Sequence, residues 1–508
     1  MLKAKQLLHV SYAHRQRIDE RLYSAFMEHL GDTVYDGIYD PEHPEADENG
    51  FRKDVIELVK NLNLPMIRYP GGNYTCSYDW EDGVGPVEKR PARLELAWQA
   101  IEPNRVGPAE FEKWVDAIGS KLMMAINMGT RDIQDAVNEV EYFNFPAGTK
   151  YADLRCEHGH EKPYDVRVWC VGNENDGPWQ IARRKPKEYA WLAAETCKAL
   201  KRMDESLELV VVGSSAPGLE TYGEWDRKVL DAAYEFCDYI ALHNYLGCET
   251  PEENVPEYLA GAMAIKQQIE TIISVCDYIK GIRHSNKTMG LSFDEYNVIP
   301  GGDNAPREKD MWKTGVQAAN RNPRCYTMEN ALLYGSMVLM LMKYSDRVRM
   351  ACQSILINGG GGLVICRKGQ KAWVNIHYYM MEQVSRWGRG CLVDAVYDLP
   401  GYHTEKYGEV DGIDIVTVKE ENEIRIFTVN RMPEALTLEV KLEGVTSVDP
   451  LEHVQLCTEN LTDANTQEDP DHVRPESLND ITMGENGPEL VMQRYSWNVY
   501  RFQVEEKK

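Results

Sequence analysis

The chain has 508 residues, and 81 Asp and Glu against 56 Lys and Arg leave a formal net charge of −25. That sign argues against a nucleic-acid binder, which needs a basic footprint to displace counterions, and against docking on anionic membranes. With 43% hydrophobic and 27% charged residues, the composition is that of a globular chain with a large core, neither disordered nor fibrous.

The first ten residues lack the long apolar stretch and the small-residue cleavage site of a signal peptide. Eight short apolar runs then follow: 24–30, 64–69, 121–129, 166–174, 207–215, 237–245, 289–296 and 350–358. Several are apolar at consecutive positions, as in Val210-Val211-Val212. A strand buried on both faces reads that way, and parallel sheets covered by helices bury both faces. Helical periodicity fills the gaps: over 51–62, through Phe111, Trp114, Val115 and Ile118, from Pro186 to Met203, and over 328–344. Strict alternation predicts an α/β fold, a (β/α)8 TIM barrel over residues 15–385. A doubly wound open sheet finds no support, because no Gly-x-Gly-x-x-Gly follows an early strand.

From residue 386 to 508 the period changes to two. Leu436, Leu438, Val440 and Leu442 share one face, and 413–418, 424–429 and 500–504 read alike. This part is predicted to be an antiparallel, jelly-roll-like β-sandwich joined by the N-terminal strand 1–14, with a polar loop over 463–480. The chain shows no internal repeat. No apolar run approaches the roughly 20 residues of a membrane span. Twelve cysteines are too sparse for a disulfide scaffold, and no Cys-x-x-Cys pair offers structural-zinc spacing. A cytoplasmic protein with reduced thiols is expected.

Active sites of barrels lie at the C-terminal ends of the strands. Those ends carry Glu28-His29, Arg68-Tyr69-Pro70-Gly71-Gly72-Asn73, Asn173-Glu174, His243-Asn244-Tyr245 and Asp294-Glu295. Glu174 and Glu295 therefore face one another across the barrel mouth, on strands four and seven. Cleavage of a glycosidic bond needs such a pair: one carboxyl protonates the leaving oxygen, and the other attacks the anomeric carbon or activates water. A single Glu at a strand end is most often a solvated charge. The pair carries the argument.

With these residues the chain resembles the retaining (β/α)8 glycosidases, and within them the α-L-arabinofuranosidases of glycoside hydrolase family 51. The matching stretches are Phe26–Gly31, Gly37–Asp40, Arg68–Asn73, Tyr78–Pro86, Gly172–Glu174 with Asp176–Trp179, and Asp294–Asn297, in order along the barrel. Asn465-Thr466 and the polar loop after it extend the match into the sandwich. The resemblance implies Glu174 as general acid/base and Glu295 as nucleophile. It further implies that Asn173 binds the sugar 2-hydroxyl, that Tyr245 orients Glu295, and that Glu28, Arg68 and Asn73 bind the remaining hydroxyls. Such enzymes are commonly homo-oligomers, often hexamers. The family usually has a glutamine on strand eight where this chain has Ile355. Gln353, two residues earlier, is the candidate to replace that contact, and Asn358 is followed by four glycines.

Other features read more plainly. His158-Gly159-His160 is a surface loop rather than a metal pair, for want of further ligands. His243 is a core or supporting histidine rather than the acid/base, and Cys76 and Cys170 are small buried groups. The glycine run lacks the Lys-Ser/Thr of a phosphate loop. Trp80, Trp169 and Trp179 are core residues, of which one could stack on a sugar ring. The reading is a retaining, exo-acting α-L-arabinofuranosidase on arabino-oligosaccharides. Its alternatives are a β-xylosidase or endo-β-1,4-glucanase using the same glutamates, and a non-catalytic sugar-binding barrel. Two carboxylates supply acid, base and nucleophile, so no metal or organic cofactor is expected.

Overall fold

The consecutive apolar residues of the eight runs divide between two cores. In the computed structural model, which describes residues 2–247, 254–300 and 326–507, Leu122, Met124, Leu209 and Val211 pack outward among the helices. Their neighbours Met123, Ala125 and Val210 meet inside the barrel with Phe26, Met66, Val168, Cys170, Ala241, Met350 and Cys352. Side chains alternate across a strand, so a run that serves both cores is apolar at every position.

The N-terminal strand β1 (Leu2–Arg17) precedes the barrel. The barrel strands are β2 (Ser24–Phe26), β3 (Met66–Tyr69), β4 (Lys121–Ala125), β5 (Val168–Val171), β6 (Glu208–Val212), β7 (Tyr239–Leu246), β8 (Gly290–Val298) and β9 (Val348–Gln353). They pair in parallel in sequence order, and β9 pairs with β2 to close the barrel. Each strand is followed by a covering helix: α1 (Lys53–Asn61), α2 (Pro108–Ile118), α3 (Ile133–Asn144), α4 (Pro186–Met203), α5 (Glu224–Ala233), α6 (Met263–Ile282), α7 (Met328–Lys343) and α8 (His377–Trp387). Pro108 and Pro186 occupy first-turn positions, where a missing N–H costs nothing. Most strands stop short of their predicted ends. β9 ends at Gln353, and the glycine run belongs to the loop beyond it. Among the described residues no helix is long and apolar enough to cross a membrane.

The C-terminal strands are β10 (Cys391–Asp398), β11 (Ile413–Glu420), β12 (Glu423–Asn430), β13 (Leu436–Glu443), β14 (Val445–Leu456), β15 (Pro488–Met492) and β16 (Ser496–Glu506). With β1 between β10 and β13, and the short strands Glu476–Leu478 and Thr482–Met483 at the two edges, they form one continuous hydrogen-bonded sheet of ten strands. Leu438 and Leu490 from one end of the strand order share a core with Phe502 and Val504 from the other, so the sheet folds over as a sandwich requires. Two expectations need correction. β1 runs parallel to β13, so the sheet is not wholly antiparallel, and the polar loop after residue 463 contains a short strand, Glu476–Leu478.

Helix α7 joins the two parts. It is buried through Met342 because it packs against β8 and β9 on one side and β11, β12 and β16 on the other. A Cβ at Gly335 of α7 would lie 2.9 Å from the Trp497 ring, and the Trp497 indole N–H donates to Gln383 Oε1 of α8 at 2.7 Å. Trp497→Ala should therefore destabilise the protein by about 3–5 kcal/mol, measured by denaturant unfolding. A loss under about 1 kcal/mol would show that this seam carries little stability.

Candidate active site

Five local features aim side chains into the mouth of the barrel. In β3, Met66 and Arg68 share the inward face, and Arg68 is fully buried. Gly71 and Gly72 follow it closely. A Cβ on Gly71 would lie 2.5 Å from Glu28 Cγ, and one on Gly72 would lie 2.7 Å from Glu295 Oε1. Beyond β5, Glu174 sits at φ 45°, a left-handed conformation that costs a non-glycine residue about 1–3 kcal/mol. In β7, His243 and Tyr245 point inward while Asn244 turns outward to donate to Gln268 of α6 at 2.7 Å. In β8 the register slips between Ser292 and Glu295 against β7, and between Phe293 and Tyr296 against β9. Such a bulge re-aims side chains, and here the adjacent residues Asp294 and Glu295 both reach Arg68, at 3.7 and 3.0 Å.

The resulting network is continuous. Arg68 Nη1 donates to Glu295 Oε1 at 3.0 Å and Nη2 to Asn173 Oδ1 at 2.7 Å. Asn173 reaches Asn73 Oδ1 at 3.4 Å. The Tyr245 hydroxyl donates to Glu295 Oε2 at 2.6 Å and stands 2.6 Å from Ser354 Oγ. On the far side, His243 Nδ1 lies 2.9 Å from Glu174 Oε1, and the Trp179 indole N–H donates to Glu174 Oε2. Glu28 Oε1 accepts from the Tyr74 backbone N–H and the Trp98 indole N–H, both at 2.9 Å. One oxygen each of Glu174 and Glu295 and a ring nitrogen of His243 lie within 4.8 Å of one another. These donor types would suit a cation. Yet all four carboxylate oxygens already face an N–H or O–H group, and Arg68 supplies the positive charge. A cavity of about 490 Å³ opens over the group, lined by Glu28, Asn73, Trp98, Glu174, Trp179 and Glu295 among others.

Electrostatics separates the carboxyls. Burial alone would raise Glu295, but the charges of His243 and Arg68, with hydrogen bonds from Tyr245 and Arg68, hold it below the usual range. Burial pushes Glu28 up to about 8, helped by the Glu295 charge and opposed by the Tyr74 and Trp98 N–H groups. Burial also disfavours charge on His243, but Glu295 and Glu174 together raise it to about 9. Burial pushes the Cys76 thiol up to about 11, so it offers no nucleophile near neutrality.

Of the eight site residues singled out in the sequence, seven meet here: Glu28, Arg68, Asn73, Asn173, Glu174, Tyr245 and Glu295. Gln353 does not. Its amide donates to the Gly361 carbonyl at 3.1 Å, and the cavity wall is made instead by Ser354, Ile355 and Gly359–Gly361. The turn of the backbone after β9 accounts for this. Trp179 is half exposed at the cavity rather than in the core, whereas Trp80 and Trp169 are buried. Trp98 and Ser354 were missed. His158 pairs with the Tyr142 hydroxyl and His160 with Glu112, two unrelated surroundings.

The α-L-arabinofuranosidase 1 domain matches residues 58–259, and the α-L-arabinofuranosidase C-terminal domain matches residues 294–496. The intracellular exo-α-(1→5)-L-arabinofuranosidase of Acetivibrio thermocellus is 42% identical over 507 residues, 99% of both chains. The chain belongs to the α-L-arabinofuranosidases of glycoside hydrolase family 51, and is a glycoside hydrolase. The corresponding Bacillus subtilis protein, intracellular exo-α-(1→5)-L-arabinofuranosidase 1, is 41% identical over 503 residues, again 99% of both chains. A solved family 51 α-L-arabinofuranosidase from Bifidobacterium longum superposes with a TM-score of 0.92 at 34% identity, covering 98% of this chain and 99% of that one.

In this arabinofuranosidase-family chain, Gly72→Ala should displace the Glu295 carboxylate. A loss of about 100-fold in kcat/KM on an aryl arabinofuranoside is expected, with the circular dichroism spectrum unchanged; full activity would contradict the close approach. A second prediction concerns pH. The folded state favours neutral Glu28, so its contribution to stability is complete below the ordinary carboxyl range and is lost as pH rises through about 8. By calorimetry, Glu28→Gln should lose less Tm than wild type between pH values of about 5 and 8.5. An equal loss would contradict the raised pKa.

Proposed function

We propose that the protein is an intracellular, exo-acting α-L-arabinofuranosidase that releases terminal arabinofuranose from arabino-oligosaccharides with retention. One observation carries the mechanism: one oxygen of Glu174 and one of Glu295 lie within 4.8 Å of each other. Carboxyls about 5–5.5 Å apart serve double displacement, whereas inversion needs roughly 6.5–9.5 Å to admit a water. Glu295, kept ionised by the charges of His243 and Arg68, attacks the anomeric carbon while Glu174 protonates the departing oxygen. Glu174 then takes a proton from the water that hydrolyses the arabinosyl-enzyme. Asn173 is held by Arg68 beside the nucleophile, where it can meet the 2-hydroxyl. Glu28, neutral near pH 7, can donate a hydrogen bond to a sugar hydroxyl as well as accept one, with Asn73 on the same side. The cavity is walled by Trp98 and Trp179, and apolar ring faces suit the apolar faces of sugars.

Whole-chain identities of 42% and 41% to exo-arabinofuranosidases favour this reading over a β-xylosidase, an endo-β-1,4-glucanase or a non-catalytic barrel. The intracellular naming of those relatives supports a cytoplasmic location. The family resemblance supports a homo-oligomer, with a hexamer as the leading assembly. No metal or cofactor enters the scheme.

On p-nitrophenyl α-L-arabinofuranoside, Glu295→Ala should lower kcat by at least about 10⁴-fold. Azide should restore turnover to Glu174→Ala, because a small anion attacks the glycosyl-enzyme without a base. Full activity of Glu295→Ala, or no azide effect, would overturn the assignment.

A further inference from the structure

The two-carboxylate scheme gives His243 no part in moving the proton, although its charge helps keep Glu295 ionised. Its side chain is buried at the centre of the site, with Nδ1 2.9 Å from Glu174 Oε1 and 3.6 Å from Glu295 Oε2. Its backbone carbonyl accepts from Gln268 Nε2 at 3.1 Å, and Asn244 donates to the Gln268 side chain as well, so strand β7 is pinned to α6 beside the ring. The neighbours of Glu174 are asymmetric. Indole nitrogen is a donor only, whereas imidazole nitrogen can donate or accept. The proton of Glu174 therefore has a resting partner at Oε1, and that partner is His243.

We propose that His243 is a proton relay for Glu174, holding on Nδ1 the proton that the leaving group receives and recovering it in the second half of the cycle. The inference rests on the double-displacement reading. In the first half, the Nδ1–H bond breaks and an O–H bond forms on Glu174 Oε1. That proton then joins the glycosidic oxygen as its bond to the anomeric carbon breaks, the bonding pair staying with the leaving oxygen. A Glu295 oxygen supplies the pair for the new bond to carbon. In the second half, water gives a proton to Glu174 and its oxygen bonds the anomeric carbon. The Glu295 ester bond breaks, and the proton returns to Nδ1.

Coupling between the steps follows from charge. The ionised groups facing the ring are Glu174 from the β5 end, Glu295 from β8 and Arg68 from β3. Asp294 lies deeper, against Arg68 and Cys170, and Asp176 lies beyond Glu174, bonded to Ser215. Ionised Glu295 and Glu174 are what hold a proton on His243 against burial, raising it to about 9. When Glu295 becomes an ester its charge is gone, and the attraction that kept the proton on Nδ1 falls as the leaving oxygen needs it. Hydrolysis of the ester restores that charge and draws the proton back to the ring.

Glu174 and the leaving group decide the test. His243→Gln keeps a hydrogen-bond donor but cannot carry the proton. For α-1,5-arabinobiose, whose departing alcohol needs protonation, kcat/KM should fall by about 100-fold. For 2,4-dinitrophenyl α-L-arabinofuranoside, which needs no acid, the loss should be at least about tenfold smaller, the remainder reporting the His243 charge that helps keep Glu295 ionised. Equal losses on both substrates would reduce His243 to a structural part, and no loss on arabinobiose would remove it from the mechanism. Should the variant fail to fold, the wild-type pH profile decides. The alkaline limb for arabinobiose should lie near pH 9 and be absent for the dinitrophenyl substrate; coincident limbs would overturn the relay. A wild type inactive on both substrates would instead refute the glycosidase reading.

Discussion

The site is organised by one buried guanidinium. Arg68 is fully enclosed and bonds Glu295 and Asn173, with Asp294 close behind. A charge at that depth is costly to desolvate, and a buried ion pair is weak evidence for stability. What it supplies here is position and charge state. The planar fork spans from the β8 carboxylate to the β5 amide, fixing two groups from different strands in one plane. Together with the His243 charge, it also keeps Glu295 ionised against the upward push of burial. Strain at Glu174, the contacts at Gly71 and Gly72, and the bulge in β8 all serve that same arrangement.

The barrel gives this arrangement a rigid base. Parallel strands with side chains packed inward and outward leave only their C-terminal ends free to vary, and the catalytic groups sit at those ends, Glu295 within the second half of β8 and Glu174 three residues past β5. Helix α7, buried on nearly all sides, ties the barrel to the folded-over sheet, and β1 enters that sheet from the other end of the chain. The two parts therefore share a seam built around Gly335 and Trp497 rather than a flexible linker. Glycosidic chemistry that depends on distances of a few ångströms needs such stiffness.

Much of this was legible from pattern alone. All eight strands were visible because apolar residues at consecutive positions have few alternatives in a helix-covered barrel, and the glutamate pair followed from where those strands end. Pairing partners were less legible. Alternation along β1 specifies which face is buried but says nothing of β13, more than 400 residues away, beside which it runs in parallel. Gln353 was misplaced because a residue name at a strand end does not reveal which way the chain turns next. Trp98 was missed because it stands at the turn of a short hairpin, Arg93–Glu95 with Ala100–Glu102, away from the strand ends where barrel sites are sought. The turn exists because Glu95 accepts from the Ala97 and Trp98 N–H groups at 2.7 and 2.6 Å. His243, read from sequence as a core or supporting histidine, stands beside two carboxylates supplied by other strands, a neighbourhood that its own strand does not reveal.

The central claim is that Glu295 becomes covalently bonded to the sugar while Glu174 serves the departing and entering oxygens. Mass spectrometry of Glu174→Ala, quenched during turnover of a 2,4-dinitrophenyl arabinofuranoside, tests this most directly. The account predicts a stoichiometric arabinosyl adduct on the peptide that carries Glu295, after a burst of one dinitrophenolate per active site. An adduct on another residue, or a burst with no adduct, would contradict it.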